Sequence, residues 1–155
     1  MKQVGYSGKH RICGLKRSVA SDAGGHPLSY VVGTANRHDQ RDSLKTIDRI
    51  SVNGRRRRPR RIGADKGYDS DAIRRACRKR RIVPVFVARD KHESDLTPRE
   101  RREQKYCRKR WQIERTFAWI NMNRRIDRML ERKRKAYEMF MDLACIRHYV
   151  RLLTK

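Results

Sequence analysis

No run of about 20 apolar residues occurs in this chain, so it holds no candidate membrane-spanning helix. The opening Met1-Lys-Gln-Val-Gly-Tyr6 has no signal-peptide apolar region either, and the expected location is the cytoplasm. Closely spaced cysteines are also lacking. Cys13, Cys77, Cys107 and Cys145 lie 30 or more residues apart, which offers no zinc-finger spacing and reads each thiol as a small buried or half-buried side chain. Acids are scarce: 17 Asp plus Glu stand against 42 Lys plus Arg, for a formal charge of +25. Such a charge repels itself unless a polyanion neutralises it, which points to nucleic acid. Apolar content is thin at 37%, yet 155 residues suffice for one domain with its own core, spanning 1–155.

Local chemistry then orders the chain. Residues 1–10 are polar and read as a ragged lead-in to a strand over Arg11–Val19. Ser21-Asp-Ala-Gly-Gly-His-Pro27 is a turn by composition, and Leu28–Thr34 is its antiparallel return strand. Gln40–Ile50 has apolar residues at helical spacing, with Asp39 as the expected cap. Asn53-Gly54 and the run Arg55, Arg56, Arg57 and Arg58, closed by Pro59, read as a loop whose arginines contact phosphate. A helix capped by Asp69 or Ser70 places Ala72, Ile73, Ala76 and Cys77 on one stripe, and Ile82–Ala88 is a strand. Strand, helix and strand predict a parallel crossover, with Pro84 pushing its strand toward a sheet edge. Thr97-Pro98 opens a long helix to about Arg132, with Ile113, Phe117 and Ile120 on one face and Trp119, Met122, Ile126 and Met129 beside it. Ala136–Leu153 packs back as a second helix on a stripe of Met139, Leu143, Ile146, Val150 and Leu153.

The stretch Arg60–Ser70 carries the sharpest chemical signal. A short apolar segment ends in Asp65, and Gly67 follows in an expected sharp turn. That puts a carboxylate at the carboxyl edge of a sheet, where α/β proteins bind ligands. Glu114 is its expected partner, an acid interrupting the basic, aromatic-rich Arg110–Trp119. Cutting or joining a phosphodiester needs charge stabilised on both attacking and leaving oxygens, and two divalent ions held by carboxylates can do this. Taken separately, each acid also has a plain reading: Asp65 as a turn residue bonding backbone amides, Glu114 as a helix-surface partner of Arg110.

Ala64-Asp-Lys-Gly-Tyr-Asp-Ser70 and Arg110-Trp-Gln-Ile-Glu-Arg-Thr-Phe-Ala-Trp119 resemble the second and third acidic motifs of DDE transposases of the insertion-sequence-five group. Gly8-Lys-His10, Ser21–Pro27, Ala35–Asp39 and Asn123–Asp127 fall where further blocks of that family stand, so the resemblance spans nearly the whole chain. It implies an α/β fold with a ribonuclease-H-like mixed sheet and a C-terminal helical pair. It implies DNA transposition, in which water cleaves an element end and the freed 3′ hydroxyl attacks target DNA. Asp65 and Glu114 would be catalytic Mg2+ (or Mn2+) ligands, and Arg110 a phosphate contact. Tyr106 stands one residue before the family tyrosine, at Cys107, and the later basic position reads Asn121, so neither takes a role.

The family's first aspartate lies on a central strand ahead of the glycine-lysine block and has no counterpart after Met1. The expected sheet therefore lacks its first strand, and the isolated chain is expected to be inactive. Asp22 is no substitute, because it sits in the hairpin turn. The expected partners are transposon-end and target DNA at the nucleoid, with a homodimer on DNA. The alternative is a non-catalytic basic protein that binds DNA or RNA.

Overall fold

A computed structural model describes residues 4–7, 12–86, 93–107, 111–128, 131 and 133–154. Strands β1 (Gly5–Ser7), β2 (Ile12–Ser21) and β3 (Pro27–Thr34) form one antiparallel sheet in the order β1-β2-β3. The hairpin was legible in the sequence; β1, within the expected lead-in, was not. β2 and β3 run in register from Leu15 opposite Thr34 to Ser21 opposite Pro27, with an irregularity at Ala20 and Ser21.

Helix α1 (Asp39–Asp48) covers one face of β3 and helix α6 (Arg134–Leu153) the other. Alternation along the strand does this. Ser29 donates its hydroxyl to the Thr46 carbonyl on α1, while Tyr30 donates to the Glu138 carbonyl and the Asp142 carboxylate on α6. The cap of α1 is His38, whose Nδ1 accepts from the Gln40 amide, rather than Asp39, which instead pairs with Lys16. On the α1 face the fit is close: a Cβ at Gly33 would come within 2.5 Å of Oδ2 of buried Asp42. Gly33→Ala is therefore expected to cost about 1–3 kcal/mol, read as a lower urea midpoint at unchanged slope. A cost under about 0.5 kcal/mol would mean that α1 and β3 can part freely.

The expected loop at Asn53-Gly54 is a tight ribbon, β4 (Ser51–Val52) paired with β5 (Arg55–Arg56). Its two turn residues have φ of 51° and 72°, both in the left-handed region that a two-residue hairpin requires and that Asn-Gly tolerates best. The sequence held this signal in plain view.

β6 (Arg61–Ala64), α2 (Asp71–Lys79) and β7 (Val83–Phe86) form the expected parallel crossover. Ser70 caps α2 by accepting from the Ile73 amide. Ile73 and Cys77 are buried as expected, whereas Ala72 faces solvent. β7 has β6 as its one strand partner among the described residues, which suits Pro84 at an edge; positions 87–88 of the expected strand lie outside them.

The long helix from Pro98 is not continuous. α3 (Pro98–Cys107) opens with the expected cap, Thr97 and Glu100 bonding each other's backbone amides. α4 (Trp111–Asn121) ends where Asn123 turns its side-chain amide back onto the Ile120 carbonyl, 2.9 Å away, and α5 (Arg124–Asp127) starts anew. A helix can thus stop without proline or glycine. On the expected faces Ile120 and Ile126 are buried and Ile113, Phe117 and Trp119 half-buried, but Met122 is exposed; Met129 lies outside the described residues.

The stripe expected to dock α6 is its solvent face. Met139, Leu143, Ile146, Val150 and Leu153 are all exposed, and Tyr137, Met141 and Ala144 fill the core with Leu15, Val32, Ile120 and Ile126. Both stripes have helical period, so periodicity alone could not choose between them. A second core joins α1, α2 and β7 through Ile47, Ile73, Cys77, Ile82 and Phe86. The result is a mixed α/β fold in two sheets, β1-β2-β3 and β6-β7, plus the β4-β5 ribbon, with no strand among the described residues joining the two sheets.

Candidate metal centre and nucleic-acid surface

β6 delivers Asp65 at its carboxyl end. The Asp65 carbonyl accepts from the Tyr68 amide at 2.9 Å, closing a single 3-10 turn, Lys66–Tyr68, before α2 begins. Gly67 is not what makes this turn possible. Its φ is not positive, and a Cβ there would meet nothing within 4 Å. The Asp65 side chain is exposed, and so is that of Glu114 in the first turn of α4. The two acids, distant in sequence, line one cleft of about 530 Å³. Its walls are Arg17–Ser21 of β2 on one side and Arg61–Ala64 of β6 on the other, with Phe117 on the α4 side. The cleft is thus the gap between the two sheets.

Tyr68 borders the cleft as well. Burial, then the negative charges of Asp39 and Asp65, push its hydroxyl up to about 12, so it stays a neutral donor at working pH. Arg17 reaches from β2 across this wall. It donates to the Tyr137 hydroxyl at 2.8 Å and to the Asn121 side chain, with its guanidinium over the Phe117 ring. It thereby ties β2, α4 and α6 together, and Asn121, which had no expected role, is its acceptor. Nothing in the local sequence singles out Arg17, because its partners lie more than 100 residues away.

The hairpin turn grips α4 just beyond Glu114. Asp22 Oδ1 accepts from the Gly24 and His26 amides, each at 2.8 Å, so this acid is committed to turn structure, as its position suggested. The Gly24 and Gly25 carbonyls in turn accept from Arg115 and Thr116 of α4, the two residues following Glu114. Arg115 lies between Trp111 and Trp119, its guanidinium carbon 4.9 Å from each ring centroid.

Trp119 also stacks on His148 of α6, and His148 Nε2 is 2.9 Å from His26 Nδ1. One imidazole must donate and the other accept, so both rings cannot be protonated without losing this bond. Burial first, then the His26 ring, lowers the His148 pKa below the ordinary imidazole value, with Asp22 opposing. A depressed histidine stabilises the fold fully above the unfolded-state pKa, about 6.5, and loses that contribution as pH falls through the folded value. The melting temperature is expected to fall between about pH 7 and pH 5, and His148→Asn to flatten this part of the profile. An unchanged slope in the variant would move the effect to other groups.

Arg55 and Arg56 form β5, Arg57 donates its amide to the Ile50 carbonyl, and all four side chains of the run Arg55–Arg58 are exposed. A hydrogen bond from Arg80, together with the charges of Arg58 and Arg56, lowers the Asp48 pKa, so this corner is positive despite its one acid. Arg110 lies outside the described residues.

Oxygen donors such as Asp65 and Glu114 suit a hard divalent cation. Among the described residues no group of three His, Cys, Asp or Glu comes together, so this pair would need further ligands from water or from another carboxylate. No helix of the described residues is long and apolar enough to cross a membrane.

The sequence matches the model of the transposase DDE domain over residues 1–148. It is also 38% identical over 138 residues to a Burkholderia cepacia protein assigned as the transposase for insertion sequence element IS402. The match covers 85% of this chain and 61% of that protein, so the chain spans about three-fifths of its relative's length. No solved structure matches it. With a domain match along nearly its whole length and this relative beside it, the chain belongs to the DDE transposase family.

Proposed function

We propose that this chain is the carboxyl-terminal part of an insertion-sequence-five-group transposase that cuts and joins DNA at element ends. The observation that carries the proposal is the pairing of Asp65 and Glu114 on the cleft between β2 and β6. Among the described residues β6 has β7 as its strand partner, while β2 has β3 along Leu15–Ser21 and, on its other side, β1 only along Ile12–Gly14. One strand inserted beyond β1, along the Arg17–Ser21 stretch of β2 that lines the cleft, would bridge the two sheets in the order β3-β2-new-β6-β7, the mixed sheet of a ribonuclease-H-like fold. An aspartate at the end of that strand would supply the third carboxylate.

Asp65 and Glu114 fit Mg2+ or Mn2+ through their oxygens, each giving one of the few protein ligands such an ion takes. When bound, the ions stabilise charge on the attacking and leaving oxygens of the phosphodiester. This chain's other residues orient the DNA. The exposed run Arg55–Arg58, together with Arg110, contacts phosphates and sets the scissile bond over the cleft. Water then cleaves the element end, and the released 3′ hydroxyl attacks a target phosphodiester with no covalent enzyme intermediate. Element ends and target DNA are the partners, and the site of action is the cytoplasm at the nucleoid.

The test uses a protein extended at its N-terminus by the upstream strand, incubated with element-end DNA, target DNA and Mg2+ or Mn2+. Nicked and joined products that both disappear with chelator are expected. Nicking without joining would make it a nuclease, and products that survive chelation would remove the metal from the proposal.

A further inference from the structure

Helix α6 has two apolar stripes on opposite sides. Tyr137, Met141, Ala144 and His148 look inward, and the first three are buried. Outward, Met139 is 65% exposed, Leu143 57%, Ile146 57%, Val150 51% and Leu153 86%. Steps of four, three, four and three residues separate these five. A globular helix normally hides one broad apolar stripe; a narrow heptad seam is the mark of a coiled coil. Five large side chains in an unbroken exposed row also exceed the scattered apolar residues of an ordinary surface.

We infer that this outer face of α6 pairs in parallel with α6 of a second copy of the chain. In heptad terms Met139, Ile146 and Leu153 take d positions, and Ala136, Leu143 and Val150 take a positions. The flanks decide the occupant and its direction. Asp142 falls at a g position and Arg147 at the following e position, both exposed. In a parallel pair, g of one helix faces the next e of its partner, so each Asp142 meets an Arg147 across the seam, twice by symmetry. The helix thus carries both halves of its own complement. Tyr30 donates to Asp142, and Arg147 donates to Asn123 at 3.0 Å, which holds both flanking side chains in place from within each copy.

The +25 charge of each copy opposes this pairing, so screening should favour it. Bridging by nucleic acid would respond in the opposite way, weakening with salt. Sedimentation equilibrium of the nuclease-treated chain therefore separates the two. A dimer is expected that tightens from about 0.1 M to about 0.5 M salt. Leu143→Asp or Ile146→Asp should weaken it by about 100-fold or more while the circular dichroism of the folded chain is kept, both sites being exposed. Asp142→Arg alone should weaken the dimer, and adding Arg147→Asp should restore it. A monomer at every salt concentration overturns the inference. So does a dimer indifferent to Leu143→Asp, or one that dissociates as salt rises. Dimerisation without rescue by the double exchange overturns the parallel direction.

Discussion

Raising monovalent salt from about 50 to about 200 mM is expected to weaken duplex DNA binding by about 10³- to 10⁵-fold. The formal charge of +25 is the origin of this expectation, but its size depends on how many cations meet phosphate rather than on the total. Some are already committed: Arg74 holds Asp69 through two hydrogen bonds, and Arg80 holds Asp48 in the same way. The run Arg55–Arg58 is exposed on a ribbon whose left-handed turn fixes its direction. Each phosphate neutralised adds about −0.9 to the slope of log affinity against log salt. Replacing all four arginines by alanine should flatten the slope by about 3 to 4 while affecting all sequences alike. Fluorescence anisotropy on one labelled duplex at several salt concentrations measures both. A slope near zero would mean that the basic surface does not bind DNA, and an unchanged slope in the variant would place the contacts on other basic residues.

Much of the fold was legible because it rests on chemistry local to the chain. Turn residues between two strand-like runs gave the β2-β3 hairpin, an apolar-helix-apolar order gave the β6-α2-β7 crossover, and Ser70 and Thr97 cap the helices they precede. Features set by contacts across the chain were hidden. Which stripe of α6 turns inward depends on Leu15, Val32 and Ile120, elements away, and the larger aliphatic row lost to Tyr137, Met141 and Ala144. The end of α4 depends on one side chain, Asn123, choosing the Ile120 carbonyl. The site divides in the same way. Asp65 at a strand end and Glu114 early in a helix were readable singly, whereas their shared cleft depends on Arg115 and Thr116 gripping the Gly24 and Gly25 carbonyls.

Asp65→Ala and Glu114→Ala, each in the N-terminally extended protein, are expected to lower cleavage by about 10³-fold or more. A divalent ion contributes several kcal/mol of transition-state charge stabilisation, and at about 1.4 kcal/mol per decade the loss of one carboxylate ligand reaches that range. The fold should tolerate both changes. Each side chain is exposed, and substitutions at such positions typically cost within about 0.5 kcal/mol. DNA affinity should hold or rise slightly, because removing an acid from a basic protein removes repulsion of phosphate. This combination, lost chemistry with retained binding and stability, separates a metal ligand from a turn residue. Asp65→Asn sharpens the distinction, since it keeps the shape and hydrogen-bonding capacity of the side chain but loses the charge. If Asp65 only satisfies its turn, Asp65→Asn should cleave nearly as well as the parent; if it holds the ion, Asp65→Asn should be as inactive as Asp65→Ala. Cleavage that survives Glu114→Ala would return that acid to the helix surface and leave Asp65 in need of another partner on the cleft.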